Sequence, residues 1–222
     1  MEQQTAGSTR TLSEFDSRHR LEAAGVPMGA QRLVETPAEA AAAAAELGLP
    51  VAVKLCGDAI AHKTERGLVR LGLRDAESVQ EAARALLAAG RPEDEVRGVL
   101  VAPMVSGSRE LIAGMVQDPT FGRCIMLGIG GIFAEALADV AFRLVPLTRN
   151  DAEEMIDDLE HAEWLTEFRG EPAVDRERLV AILLGLSALA ETDPTVVSAD
   201  INPLIIADGI PVAVDALVEV QS

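Results

Sequence analysis

Lysine is almost missing from this chain. Of 19 basic residues only two, Lys54 and Lys63, are lysines, and the rest are arginines. Tyrosine is absent and aromatic residues make up 3%. Beside abundant alanine and arginine, these gaps reflect compositional bias rather than function. Two cysteines, Cys56 and Cys124, sit in apolar strand-like runs, as expected of reduced core thiols in a cytoplasmic protein. The longest apolar runs are broken by glycine or charge, which excludes a membrane-spanning helix. The opening MEQQTAGSTR has no apolar stretch of the kind a signal peptide carries. The formal charge is −17, which excludes nucleic acid or an anionic membrane surface as an expected partner.

What the chain does have is a globular composition, 49% apolar over 222 residues, enough for one domain of two lobes or two small domains. Ser13 and Asp16 open a helix that stops at Gly25. Thr36-Pro37 with Glu39 opens a second through the alanine run, ended by Gly48-Leu49-Pro50. Strands are expected at 51–56 and 67–73, and a helix from Asp75 to about Ala89. Further strands are expected at 97–103, 109–116, 123–128 and 140–145. Helices follow from Thr148 to about Glu160 and from Asp175 to about Glu191. Two last strands, 196–206 and 210–218, flank an Asp208-Gly209 turn. The order gives an α+β fold: a disordered tail at 1–11, one lobe over 12–98 and a second over 99–222, with a cleft between them.

The two lysines lie in one stretch, VAVKLCGDAIAHKTERG. A lysine is a compact point charge that arginine does not replace at a phosphate. Alternation along 51–56 puts Ala52, Lys54 and Cys56 on one face of a strand and Val51, Val53 and Leu55 on the other. Lys54 therefore either reaches phosphate oxygens in a cleft or is a solvated strand lysine. His62, beside Lys63 in a loop, is either a general base or phosphoryl-accepting nucleophile or a surface histidine. His19 and His161 sit among charged residues on expected helices and carry no functional expectation. In the final hairpin, residues whose numbers sum to 417 face each other. Asn202 and Asp215 satisfy this, so an amide oxygen and a carboxylate meet across the strands. Such a pair either holds Mg²⁺, which takes hard oxygen ligands, or is a polar pair at a sheet edge. Gly128, Gly130 and Gly131 are either a loop that lets backbone approach phosphate or a plain turn. Glu110 either accepts from a ribose hydroxyl or is a solvated charge.

Taken in order, these segments resemble a known family. The opening LSEFDSRHRLEAAGVP, then VAVKLCGDAIAHKTERGLVRLGL, GVLVAPMV, RELIAGMVQDPTFG, CIMLGIGGIFAEALADVAFRLVPLT, FRGEP, and DINPL followed by AVDA, are similar to the ATP-grasp β subunit of ADP-forming acyl-CoA synthetases such as acetate–CoA ligase. Succinyl-CoA synthetase β chains resemble it more distantly. The resemblance runs from about Leu12 to Val218. It implies an ATP-grasp fold with Lys54 on nucleotide phosphates and Lys63 also at the nucleotide site. Val101, Ala102, Pro103 and Met104 would lie in the linker that receives adenine through its backbone. It also implies Glu110 near the ribose, Asn202 and Asp215 as Mg²⁺ ligands, and His62 as the transiently phosphorylated histidine. The implied reaction is acid + CoA + ATP ⇌ acyl-CoA + ADP + phosphate, through acyl phosphate and phosphohistidine.

The chain departs from the family's usual Ser-Pro-Asp at Cys56-Gly57-Asp58 and from its two glycines at Arg66-Gly67. Arg66 would add charge near the phosphate path. The sequence has no Rossmann-like CoA-binding domain, so the resemblance implies a CoA-binding α subunit in an α₂β₂ assembly, or a domain of a fused enzyme. Two other activities remain open from sequence: an ATP-grasp carboxylate–amine ligase without phosphohistidine, and a non-catalytic nucleotide-binding regulatory module.

Overall fold

A computed structural model describes residues 9–60, 63, 65–131, 138–168 and 170–221. Along the chain these form β1 Thr9–Thr11, α1 Glu14–Ala23, β2 Arg32–Val34, α2 Pro37–Leu47, β3 Val51–Gly57, β4 Val69–Leu73, α3 Ala76–Ala89, β5 Val96–Pro103, β6 Arg109–Asp118, β7 Gly122–Ile129, β8 Val140–Leu144, α4 Arg149–Asp157, α5 Arg176–Thr192, β9 Val196–Ala207, β10 Ile210–Ala213 and β11 Ala216–Gln221. The chain divides into two compact units. The smaller comprises residues 13–16 and 29–106, and the larger residues 1–12, 17–28 and 107–222.

In the smaller unit an antiparallel sheet runs β2-β5-β3-β4. The capping signals act as expected. The Thr36 hydroxyl accepts from the Glu39 amide, and the Glu39 carboxylate accepts from the Thr36 amide at 3.0 Å, satisfying orphan donors at the start of α2. Asp75 caps α3 through the Ser78 amide at 2.8 Å. The alanine run has a packing role: Ala40, Ala41, Ala43 and Ala44 are buried, and their small side chains seat α2 against α3 and β5. Val51, Val53 and Leu55 join that core with Val79, Ala83, Leu86, Val99 and Val101. The other face of β3 is left to Ala52, Lys54 and Cys56, as alternation predicts.

In the larger unit the antiparallel sheet has the order β1-β11-β9-β6-β7-β8, with β10 also paired to β9. Helix α5 is apolar around much of its circumference. It buries Leu179, Ile182, Leu183, Leu186 and Leu189 with Met155 and Ile156 of α4 and Leu111, Met115, Ile125, Leu127 and Ile201 of the sheet. Asp208 and Gly209 both have positive φ, +50° and +81°, the geometry that two-residue hairpins favour. Gly209 is also sterically required, because a Cβ there would come 2.5 Å from the Ala173 carbonyl oxygen. No helix among the described residues is long and apolar enough to cross a membrane.

Four expectations change. Residues 9–11 of the expected tail form β1, paired to β11; residues 1–8 lie outside the described residues. The lobe boundary expected at 98/99 falls inside β5, which pairs with both β2 and β3 and so stays whole in the smaller unit. The helix expected to reach Glu160 ends at Asp157, because the Asp139 carboxylate takes the amides of Glu160 at 2.9 Å and His161 at 2.8 Å. The strand expected over 210–218 breaks after Ala213 and resumes at Ala216 as β11, which continues to Gln221.

Candidate functional site

Lys54 is buried on β3, opposite Leu100 of β5 and Val69 of β4. A buried ammonium is costly unless paired, and its partner comes from the first turn of α1. Lys54 Nζ donates to Glu14 Oε1 at 2.8 Å, while Lys63 Nζ donates to Glu14 Oε2. All three side chains are withdrawn from water, Glu14 most of all at 2% exposure against 9% and 11% for the lysines. Burial acts to raise the Glu14 carboxyl. The charges and hydrogen bonds of Lys54 and Lys63 overcome it, and the group is held below its ordinary value. Cys56, two residues along the same face, is a free thiol pushed up chiefly by burial. It is thereby kept unreactive.

The first turn of α1 is held in place by more than Glu14. Arg97 on β5 donates to Asp16 at 2.6 Å and to Asp58 at 3.3 Å, and lies over the Phe15 ring with 5.5 Å to its centroid. Arg66 does not carry a loose charge. Its guanidinium makes a two-pronged pair with the buried Asp94 carboxylate at 2.7 and 2.8 Å. Hydrogen bonds from Arg66, then from the Arg91 amide, hold the Asp94 carboxyl at about 2. The extra charge expected at Arg66 thus has the Asp94 carboxylate as its counter-charge.

Of the four linker residues, Val101 is buried and faces partners in both β2 and β3. The register of β2 stops at Val101. Ala102 and Pro103 continue to pair with β3, and the Met104 amide donates to the Pro50 carbonyl at 2.9 Å. Among the described residues, the β2-side edge of β5 thus has no strand neighbour from Ala102 onward. His62 lies outside the described residues.

In the larger unit the 417 register holds on both sides of the strand break, in the pairs Ala213–Leu204 and Ala216–Ile201. The Val214 amide donates to the Pro203 carbonyl at 3.1 Å. Asn202 and Asp215 occupy the interruption between those pairs. Asp200 lies two residues from Asn202 on the same strand and face. Burial pushes the Asp200 carboxyl up, and the nearby Asp215 carboxylate pushes it further. Like charges converging beside an exposed amide fit a hard cation. Among the described residues no three His, Cys, Asp or Glu side chains are grouped to hold a metal by themselves. Glu110 on β6 faces Ile205 of β9. Its carbonyl accepts from the Gly130 amide at 2.7 Å, and a Cβ on Gly131 would come 3.3 Å from its carboxylate. Gly128 belongs to β7 rather than to a loop. His161 Nδ1 lies 3.1 Å from Asp139, at the turn that ends α4.

Sequence reasoning missed Glu14 and Asp200. An acidic residue in a first turn reads as a complement to the helix dipole, and nothing local marks Glu14 as a lysine partner. Asp200 carried a findable signal, since strand period two puts it on the face of Asn202.

The chain as a whole belongs to a known class. The ATP-grasp domain model matches residues 3–220, and the chain belongs to that family. Its relatives include the β subunit of ADP-forming acetate–CoA ligase II of Pyrococcus furiosus, 36% identical over 93% of this chain and 89% of that one. Among solved structures it is similar to the dinucleotide-forming acetyl-coenzyme A synthetase 1 of Ca. Korarchaeum cryptofilum, seen with coenzyme A, Ca-AMPCP and HgCl⁺. The TM-score is 0.88 at 32% identity, over 96% of this chain and 94% of that one. A second structure of that protein, with coenzyme A and Mg-AMPPCP, has its phosphohistidine segment pointing towards the nucleotide-binding site. There the TM-score is 0.81 at 31% identity, over 96% and 93%.

Proposed function

We propose that this chain is the nucleotide-binding β subunit of an ADP-forming acyl-CoA synthetase, relaying phosphate between ATP or ADP and an acyl phosphate through phosphorylated His62. What supports the proposal is the position of Asn202 and Asp215 in the hairpin interruption, between the pairs Ala213–Leu204 and Ala216–Ile201, with the Asp215 carboxylate near enough to Asp200 to push it up. This is an oxygen donor set short of a full shell, suited to a Mg²⁺ that arrives with nucleotide phosphates. When bound, the Mg²⁺ would neutralise charge on those phosphates. Lys54 and Lys63 would hold phosphate oxygens as point charges. The open edge of Ala102–Met104 would offer backbone groups to the adenine, with Val101 fixing that edge in the sheet, and Glu110 would accept from a ribose hydroxyl.

The relay takes three displacements. Towards ATP, a histidine ring nitrogen of the partner attacks the acyl phosphate and releases the carboxylate, His62 takes the phosphoryl group and frees that histidine, and the terminal oxygen of ADP takes it from His62 and frees the His62 ring; towards acyl phosphate the same steps run in reverse. The chain would work in the cytoplasm with a CoA-binding α subunit, in an α₂β₂ assembly. The acyl group and most of the CoA contacts would lie on the α side.

The test is phosphoryl transfer from γ-labelled ATP in the complex reconstituted with a CoA-binding α subunit. The chain should become labelled at His62, and His62→Ala should abolish both label and acyl-CoA formation. Unimpaired acyl-CoA formation by His62→Ala would sink the proposal.

A further inference from the structure

The interruption that carries Asp215 is bracketed by two consecutive residues of α1. β10 ends at Ala213 and β11 begins at Ala216, so Val214 and Asp215 lie outside both strands. At the break the Val214 amide donates to the Pro203 carbonyl at 3.1 Å, and the Asp215 carboxylate accepts from the Ala216 amide at 2.9 Å. A further hold comes from the helix. Arg18 donates to the Ala213 carbonyl at 3.4 Å, on one side of the break, and the Ser17 hydroxyl accepts from the Val218 amide at 3.0 Å, on the other. All of these residues belong to the larger unit. Both helix side chains are buried, Ser17 at 0% exposure and Arg18 at 2%. Burying a guanidinium is costly, and the Ala213 carbonyl is one of the groups that Arg18 engages there. A backbone held before and after Asp215 fixes the direction in which its carboxylate leaves the chain. Mg²⁺ is sensitive to that direction, because it demands a near-ideal octahedral shell.

We infer that Arg18, with Ser17 beside it, is a positioning residue for the cation: it pins the backbone next to Asp215 so that the carboxylate is presented to Mg²⁺ in one direction. The inference rests on the proposed role of Asn202 and Asp215 as Mg²⁺ ligands. Arg18 acts through the Ala213 carbonyl and the strand break, not by touching nucleotide. Without it the break keeps its hairpin but loses one of its two helix anchors, and the carboxylate samples directions that the cation does not accept. The opposite role, a buried positive charge that stands in for Mg²⁺ among the carboxylates, makes the contrary prediction: removing the guanidinium would then tighten Mg²⁺-dependent binding.

The experiment is calorimetric titration of the full chain with ADP, once in excess Mg²⁺ and once in chelator, for wild type, Arg18→Met and Asp215→Asn. Arg18→Met keeps an apolar stem and removes the guanidinium. In Mg²⁺ it should weaken ADP about tenfold or more, the scale of losing a residue that orients a metal ligand. In chelator it should stay within about twofold of wild type, a split that a merely structural role would not produce. Ser17→Ala removes only the hydroxyl and serves if the methionine variant does not fold; it should show the same split at smaller size. ADP affinity in Mg²⁺ equal to or tighter than wild type, or equal losses in Mg²⁺ and in chelator, would overturn the inference. Should Asp215→Asn lose the Mg²⁺-dependent gain while Arg18→Met keeps it, the inference falls and the cation-binding role stands. Should wild type show no Mg²⁺-dependent gain, or Asp215→Asn keep all of it, both fall.

Discussion

The charge clusters around Lys54 in the smaller unit and around Asp200 in the larger are built in opposite ways. In the smaller unit charges are paired: Glu14 with Lys54 and Lys63, Asp94 with Arg66, and Asp16 and Asp58 with Arg97. The carboxyls of Glu14 and Asp94 are held below their ordinary values as a result. In the larger unit burial, and then the neighbouring Asp215 carboxylate, push the Asp200 carboxyl up. Paired charges make a site that is assembled before its ligand arrives. Converging like charges make a site that is completed by its ligand. A phosphate-holding site needs the first, since its ammonium groups must already be aimed. A Mg²⁺ site needs the second, since the cation supplies the missing charge.

The largest effect should come from the assembled site. Lys54→Ala should lower phosphoryl transfer from ATP in the reconstituted complex by on the order of 10²–10³-fold, the scale of removing one donor to developing phosphate charge. A loss under tenfold would break the contrast, because the lysine would then be an ordinary buried ion pair.

A smaller effect should come from the larger unit. A carboxyl whose folded pKa lies above its unfolded value costs stability once pH exceeds the unfolded value, and the full cost is present above the folded one. Asp200 is such a group, so at neutral pH without Mg²⁺ it destabilises the fold. Asp200→Asn should raise the Tm in chelator by on the order of 2–4 °C, and added Mg²⁺ should raise the Tm of wild type more than that of the variant. A fall in Tm would show that the Asp200 charge is compensated in the folded chain.

The smallest effect, and of opposite sign, belongs to Asp94. Its carboxyl is depressed to about 2, so its contribution to stability is complete above the ordinary carboxylate value near ~4. That contribution is lost as pH falls through about 2. Asp94→Asn should flatten the acid limb of the stability–pH curve in that window. It should also destabilise the fold at neutral pH by leaving Arg66 without its counter-charge. An unchanged acid limb would mean that the pair persists in the unfolded chain.

Much of this was legible in the sequence where local rules dominate. The Asp208-Gly209 turn set the hairpin register that puts Ala213 opposite Leu204 and Ala216 opposite Ile201, because a two-residue loop leaves no choice of pairing. Caps at Thr36 and Asp75 marked helix starts for the same local reason. What was not legible depends on residues far apart in the chain. Glu14 finds its lysines 40 and 49 positions away, and Arg66 finds Asp94 at a separation of 28. The end of α4 is set by Asp139, 21 positions before Glu160, and no periodicity within the helix announces it. The strand break at Val214-Asp215 was invisible because an apolar run with one acid reads as a continuous strand.

The division of labour between the two units is tested most directly by the Mg²⁺ dependence of ADP affinity. The account predicts that wild type binds ADP more tightly with Mg²⁺ than in chelator. The double variant Asn202→Ala/Asp215→Asn should lose that Mg²⁺-dependent increment and keep the affinity seen in chelator, while Lys54→Ala should lose affinity under both conditions. A double variant that keeps the full Mg²⁺ increment would contradict it.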